Sequence, residues 1–142
     1  MITNERQLRI TRARAERFAE ALKQLEAEPS FLPPLLRKAE RDALASQLET
    51  LRSEIAEYES LRAGRQRVFR APSFAELPEA LIKARIARGM TQKDLAQRLG
   101  LREQQVQRYE ATGYASASLQ RLQQVIDALQ IQVSERISLN GR

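Results

Sequence analysis

The sequence predicts an all-α protein in two parts: an N-terminal helical hairpin with a long, coiled-coil-like second helix, then a bundle of short helices that ends in a short strand. Three observations predict this. Leu44, Leu48, Leu51, Ile55 and Tyr58 recur at spacings of 4, 3, 4 and 3, a heptad-like seam. The second half is cut into short helical pieces by Gly89 and Gly100, each followed by a helix-start signal. Alternation of period two is confined to the last dozen residues.

The first helix is carried by Leu8, Thr11, Ala15, Phe18, Leu22 and Leu25, which fall on one helical face. Thr11 is the expected cap, with a short turn before it. Glu28-Pro29-Ser30 ends the segment, and Pro33-Pro34 opens the next helix, where the first turn tolerates proline. That helix is expected from about Leu35 to Leu61, long enough to span about 40 Å. The first helix can fold back on it as an antiparallel hairpin and cover part of its seam. The remainder is expected to meet a second chain, because two helices alone bury little surface. The hairpin, residues 1–62, is therefore assigned to dimerisation or partner binding.

Residues 63–73 read as a linker. Ala63 and Gly64 break the helical pattern, and Arg65-Gln66-Arg67-Val68-Phe69-Arg70 follows as an extended stretch. A solvated joint, with or without a short edge strand, is the simpler reading of the three arginines; a basic arm tracking phosphates is the alternative.

Residues 74–142 form the second domain. Ser73-Phe74-Ala75-Glu76 is a capping signature, and Pro78 belongs to a first turn. Ala80, Leu81, Ala84 and Ile86 give a helix to about Arg88, stopped by Gly89. Thr91 caps the next, with Asp94 as its acidic partner; it contributes Leu95, Ala96 and Leu99 and ends at Gly100. A short helix from about Arg102 to Glu110 buries Val106 and Tyr109. Ser118 caps a fourth with Leu119, Leu122, Val125, Ile126 and Leu129 inward. Ile131, Val133, Ile137 and Leu139 alternate with polar residues and predict the strand.

Composition narrows the function. With 42% apolar and 30% charged residues, the chain is globular in character. There is no histidine and no cysteine, which removes the usual general base, the thiolate nucleophile and the commonest metal ligands. No enzyme, cofactor or metal is expected. No apolar signal region or membrane-length apolar run occurs, so a cytoplasmic location without membrane contact is expected. The charge is uneven: residues 1–64 carry 11 basic and 11 acidic side chains, residues 65–142 carry 13 and 7, so the whole excess of +6 lies in the second half. A basic segment beside a neutral one points the second half at a polyanion.

The helices around Gly100 are too closely joined for an antiparallel hairpin. With Leu95, Ala96, Leu99, Leu101, Val106 and Tyr109 inward, they must cross steeply, as in a helix-turn-helix. Gln92 through Ala111 resembles the helix-turn-helix of the phage-repressor-like Cro/Xre family, carried by Met90-Thr91-Gln92-Lys93-Asp94-Leu95-Ala96 with Leu99-Gly100, and by Val106 at the buried aliphatic position. The wider stretch from about Leu77 to Val133 is similar to that family's lambda-repressor-like domain. The family often has an Asn-Gly turn after its third helix, where this chain has Ala111-Thr112-Gly113-Tyr114.

The resemblance implies binding of double-stranded DNA. Outward on the third helix of the domain stand Arg102, Glu103, Gln104, Gln105, Gln107 and Arg108. Arginine matches the paired acceptors of guanine, and glutamine the acceptor–donor pair of adenine. Base contact is expected from Arg102, Glu103, Gln104, Gln107 and Arg108, with Gln104 and Arg108 foremost. Phosphate contact is expected from Gln92, in a helix first turn that favours anions, and from Lys93, Gly113 and Tyr114. Glu110 opposes its helix dipole and needs a cation; the resemblance pairs it with Arg85 in a structural ion pair. These features imply a transcriptional regulator, an autoregulating repressor acting as a homodimer on a palindromic operator. The alternative is an antitoxin whose hairpin binds a toxin.

Overall fold

The computed structural model describes residues 1–29 and 31–140; Ser30, part of the break between the first two helices, lies outside them. All regular structure among these residues is helical, in two units, Met1–Arg65 and Gln66–Arg142.

The first unit holds α1, Glu5–Ala27, and α2, Pro34–Arg62. Helix α1 begins earlier than Thr11. The Asn4 side chain accepts from the Gln7 amide at 2.8 Å, and the Gln7 side chain accepts from the Thr3 amide at 2.8 Å. This reciprocal cap satisfies amides of the first turn, so Thr11 is an interior residue buried in the hairpin. Helix α2 starts at a first-turn proline and runs about 43 Å. The helices are antiparallel: Arg12 pairs with Glu59 and Glu5 with Arg62 at one end, while Arg37 donates to the Leu25 and Glu28 carbonyls at the other, at 3.1 and 3.2 Å. Ala15, Leu48 and Leu51 form the centre of the contact, with Phe18, Leu22 and Ile55 packed around them. The α2 seam is thus covered by α1; the exposed large apolar residues of this unit are Phe31, Leu32, Leu35 and Leu36 around the hairpin turn, with Met1 and Ile10 apart from them.

The second unit opens with residues 66–72 in irregular extended backbone, then a 3-10 turn, Phe74–Glu76. The Ser73 hydroxyl contacts the Glu76 carboxylate at 2.8 Å and caps no backbone amide, so the capping signature closes a side-chain pair instead. Four helices follow: α3, Leu77–Ala87; α4, Gln92–Leu99; α5, Glu103–Ala111; and α6, Leu119–Leu129. Leu81, Leu95, Val106, Val125 and Leu129 are the fully buried centre. Two expectations are corrected. Leu119 is exposed, because as the first residue of α6 it lies at the open end of the stripe formed by Leu122, Val125 and Leu129. The tail after α6 forms no strand among the described residues, since its main chain finds no ladder partner.

Candidate nucleic-acid interface

Helix α4 is set by its ends. Thr91 accepts from the Asp94 amide at 3.0 Å, and the Asp94 carboxylate accepts from the Thr91 amide at 2.9 Å. That bond, then the Thr91 hydroxyl, holds the Asp94 carboxyl below its usual range. At the other end Gly100 adopts φ +68°, and the Leu101 amide donates back to the Ala96 carbonyl at 2.9 Å. A Cβ on Gly100 would meet nothing within 4 Å, so the dihedral alone demands glycine. Helix α5 starts two residues later. The Gln105 side chain turns back to accept from the Arg102 amide at 2.9 Å, which caps the helix and takes Gln105 off the outward face.

The pair is pinned from beneath. Arg85 of α3 grips Glu110 of α5 with Nε on one carboxylate oxygen at 2.8 Å and Nη2 on the other at 2.6 Å. Its Nη1 donates to the Met90 carbonyl at 2.7 Å, in the turn before α4. The Gln92 carboxamide donates to Glu110 at 3.0 Å. One buried cluster therefore fixes the angle between α3, α4 and α5. Arg98 adds a tie from α4 to the end of α6, donating to the Ala128 carbonyl at 2.8 Å, and Arg88 donates to the Gln130 carbonyl.

With Val106 and Glu110 turned inward, α5 presents Glu103, Gln104, Gln107 and Arg108 to solvent, with Arg102 at its cap. Neither Arg102 nor Arg108 has a carboxylate partner among the described residues. The structure brings these five residues together on one polar, unobstructed surface.

The four expected phosphate contacts fare differently. Lys93 is exposed. Gln92 is only 3% exposed, and its carboxamide faces Glu110, not solvent. The Gly113 amide is already given to the Glu110 carbonyl at 3.3 Å. Tyr114 is 4% exposed: at φ +56° its ring turns inward and stacks on Tyr109, with centroids 5.4 Å apart. Burial, then the nearby Glu110 charge, pushes its hydroxyl far above the ordinary tyrosine range. Tyr114 is therefore a core residue. Sequence reasoning missed Gln92 as the third member of the buried cluster; its place in the first turn of α4 signalled an anion site equally well.

Residues 81–136 match the family model described as helix-turn-helix. That stretch is a helix-turn-helix domain of the Cro/Xre type. The match makes the second unit a DNA-binding module of the kind carried by transcriptional regulators. The hairpin of α1 and α2 lies outside it. No curated protein and no solved structure matches the chain. Among the described residues, no group of acidic side chains could hold a metal ion, and no helix is long and apolar enough to cross a membrane.

Proposed function

We propose that the chain is a sequence-specific regulator of transcription that binds double-stranded DNA as a homodimer and represses its own gene. The observation that carries the reading is the outward face of α5, with Gln104, Gln107, Arg102 and Arg108 exposed on a helix whose angle is fixed by the Arg85–Glu110–Gln92 cluster. Helix α5 enters the major groove; Gln104 and Arg108 read base edges, Arg102, Glu103 and Gln107 flank them, and Lys93 contacts phosphate. The backbone at the start of α4 leans on the same strand through its dipole. One such helix reads one half-site, and a dimer reads two about 34–36 Å apart on a palindrome.

Fluorescence anisotropy with DNA from upstream of the protein's own gene tests this, at about 150 mM salt so that charge alone is not rewarded. Preference for that duplex over a scrambled one, abolished by Gln104→Ala with Arg108→Ala, is the expected result. Equal, weak binding to both duplexes would refute it.

A second reading is favoured by the hairpin turn. Phe31, Leu32, Leu35 and Leu36 are exposed within six positions, a surface suited to a protein partner. In this reading the chain is an antitoxin, and the hairpin holds a toxin. Co-purification of a small protein from the same operon, lost on Phe31→Ser with Leu35→Ser, distinguishes it.

A further inference from the structure

Within the second unit lies an open groove of about 720 Å³. Its floor is α3, through Leu77, Ala80, Leu81 and Ala84; its walls are the extended stretch around Val68 and Phe69 and the tail from Ile131 to Ile137. Both walls are β-patterned in sequence, yet among the described residues the main chain of 67–72 and 132–140 forms no backbone hydrogen bond that would make a strand. The apolar side chains of the tail are left uncovered: Ile137 is 92% exposed and Leu139 96%.

We propose that residues 131–139 are a dimerisation strand, laid into this groove on a second copy of the chain while the second copy's tail occupies the groove on the first. The inference rests on the dimeric reading above and names its interface. One chain carries both halves of the contact. The groove offers apolar floor and unpaired main-chain edges; the tail offers a strand whose odd positions, Ile131, Val133, Ile137 and Leu139, share one face. Reciprocal exchange satisfies both, and a two-fold arrangement closes at two copies instead of propagating.

Charge selects the same occupant. Arg67, Arg88 and Arg136 line the groove against one carboxylate, Glu135. A second tail brings a second Glu135 to those arginines, on the same strand face that carries its apolar residues. The irregular backbone of the tail follows as well. A lone strand has no ladder, and a period-two sequence orders only when a neighbour supplies one.

Sedimentation equilibrium of the full chain tests the proposal, comparing wild type with two double variants. Ile137→Asp with Leu139→Asp alters only exposed side chains, so the circular dichroism of the helices should not change. Self-association should weaken by about 100-fold or more. Phe31→Ser with Leu35→Ser, at the hairpin turn, should remain dimeric. If the tail variant stays dimeric the inference is wrong, although dimeric operator binding still stands. If wild type is monomeric, both fail. If both variants dissociate, cross-linking decides: the chain has no cysteine, so Ile137→Cys in one population and Ala80→Cys in another, mixed and oxidised, should yield a mixed disulfide dimer. Absence of that product would overturn the proposal.

Discussion

Arg85 and Glu110 form a buried two-point ion pair, guanidinium to carboxylate at 2.8 and 2.6 Å, that joins the first helix of the DNA-binding unit to the end of its recognition helix. Both side chains are almost wholly withdrawn from water. A desolvated charge is tolerated only while its partner stays in place. Here each partner has additional bonds: Arg85 to the Met90 carbonyl, Glu110 to the Gln92 carboxamide. The pair therefore acts less as a source of net stability than as a constraint on how α3, α4 and α5 meet.

Removing one partner should be costly. Arg85→Met leaves Glu110 charged in the core and the Met90 carbonyl without its guanidinium donor, a loss of about 3–5 kcal/mol. Urea unfolding read by circular dichroism measures it. Arg85→Met combined with Glu110→Leu should recover a large part, since an apolar pair of similar volume carries no unpaired charge. A single variant that unfolds within about 1 kcal/mol of wild type would show that solvent reaches the pair.

Gly100 poses a backbone question with a clean answer. Its φ of +68° lies in the left-handed region, and no neighbouring atom stands where a Cβ would go. Gly100→Ala should destabilise the unit by about 1–2 kcal/mol through the dihedral alone. Gly100→Asn should cost less, because asparagine tolerates that region. Equal losses in thermal unfolding for the two variants would mean that side-chain volume, not φ, limits this turn.

The cap of α4 gives a pH dependence with a definite sign. The Thr91 amide and hydroxyl hold Asp94 below its ordinary value of 3.8. Because the folded value is depressed, the contribution is present above the unfolded value and is lost as pH falls through the folded one. The difference in urea midpoint between wild type and Asp94→Asn should be constant at neutral pH and should shrink as pH drops through and below 3.8. A difference that persists unchanged in acid would remove the charge from the account.

The parts of this fold that local chemistry decides are legible in the sequence. Thr91 with Asp94, Ser118 and the left-handed Gly100 each announce a helix end by residue type, and each lies at one. The outward face of α5 follows from period alone once Val106 is inward. What fails is decided by side-chain direction or by a neighbour. Asn4 outcompetes Thr11 as cap only because Gln7 reaches back to Thr3. Tyr114 sits at a positive φ that its residue type does not signal, and that dihedral sends its ring into the core. The tail from Ile131 has the period of a strand, but period states what a segment does when paired, and one copy supplies no pair.

Lys93 and Gln104 should separate the two kinds of DNA contact. Lys93 is exposed in the first turn of α4, where an ammonium meets phosphate and neutralises one charge. Lys93→Ala should weaken binding to every duplex alike and reduce the slope of log affinity against log salt by about 0.9 for each copy bound. Gln104 carries no charge, and its amide matches an adenine edge. Gln104→Ala should leave the salt slope unchanged and cost about 1–3 kcal/mol on the preferred sequence only, with little effect on scrambled DNA. Anisotropy titrations at several salt concentrations on both duplexes read the two quantities together. A Gln104→Ala variant that changes the slope, or that weakens both duplexes equally, would place this residue on the backbone and leave base reading to Arg108 and its neighbours.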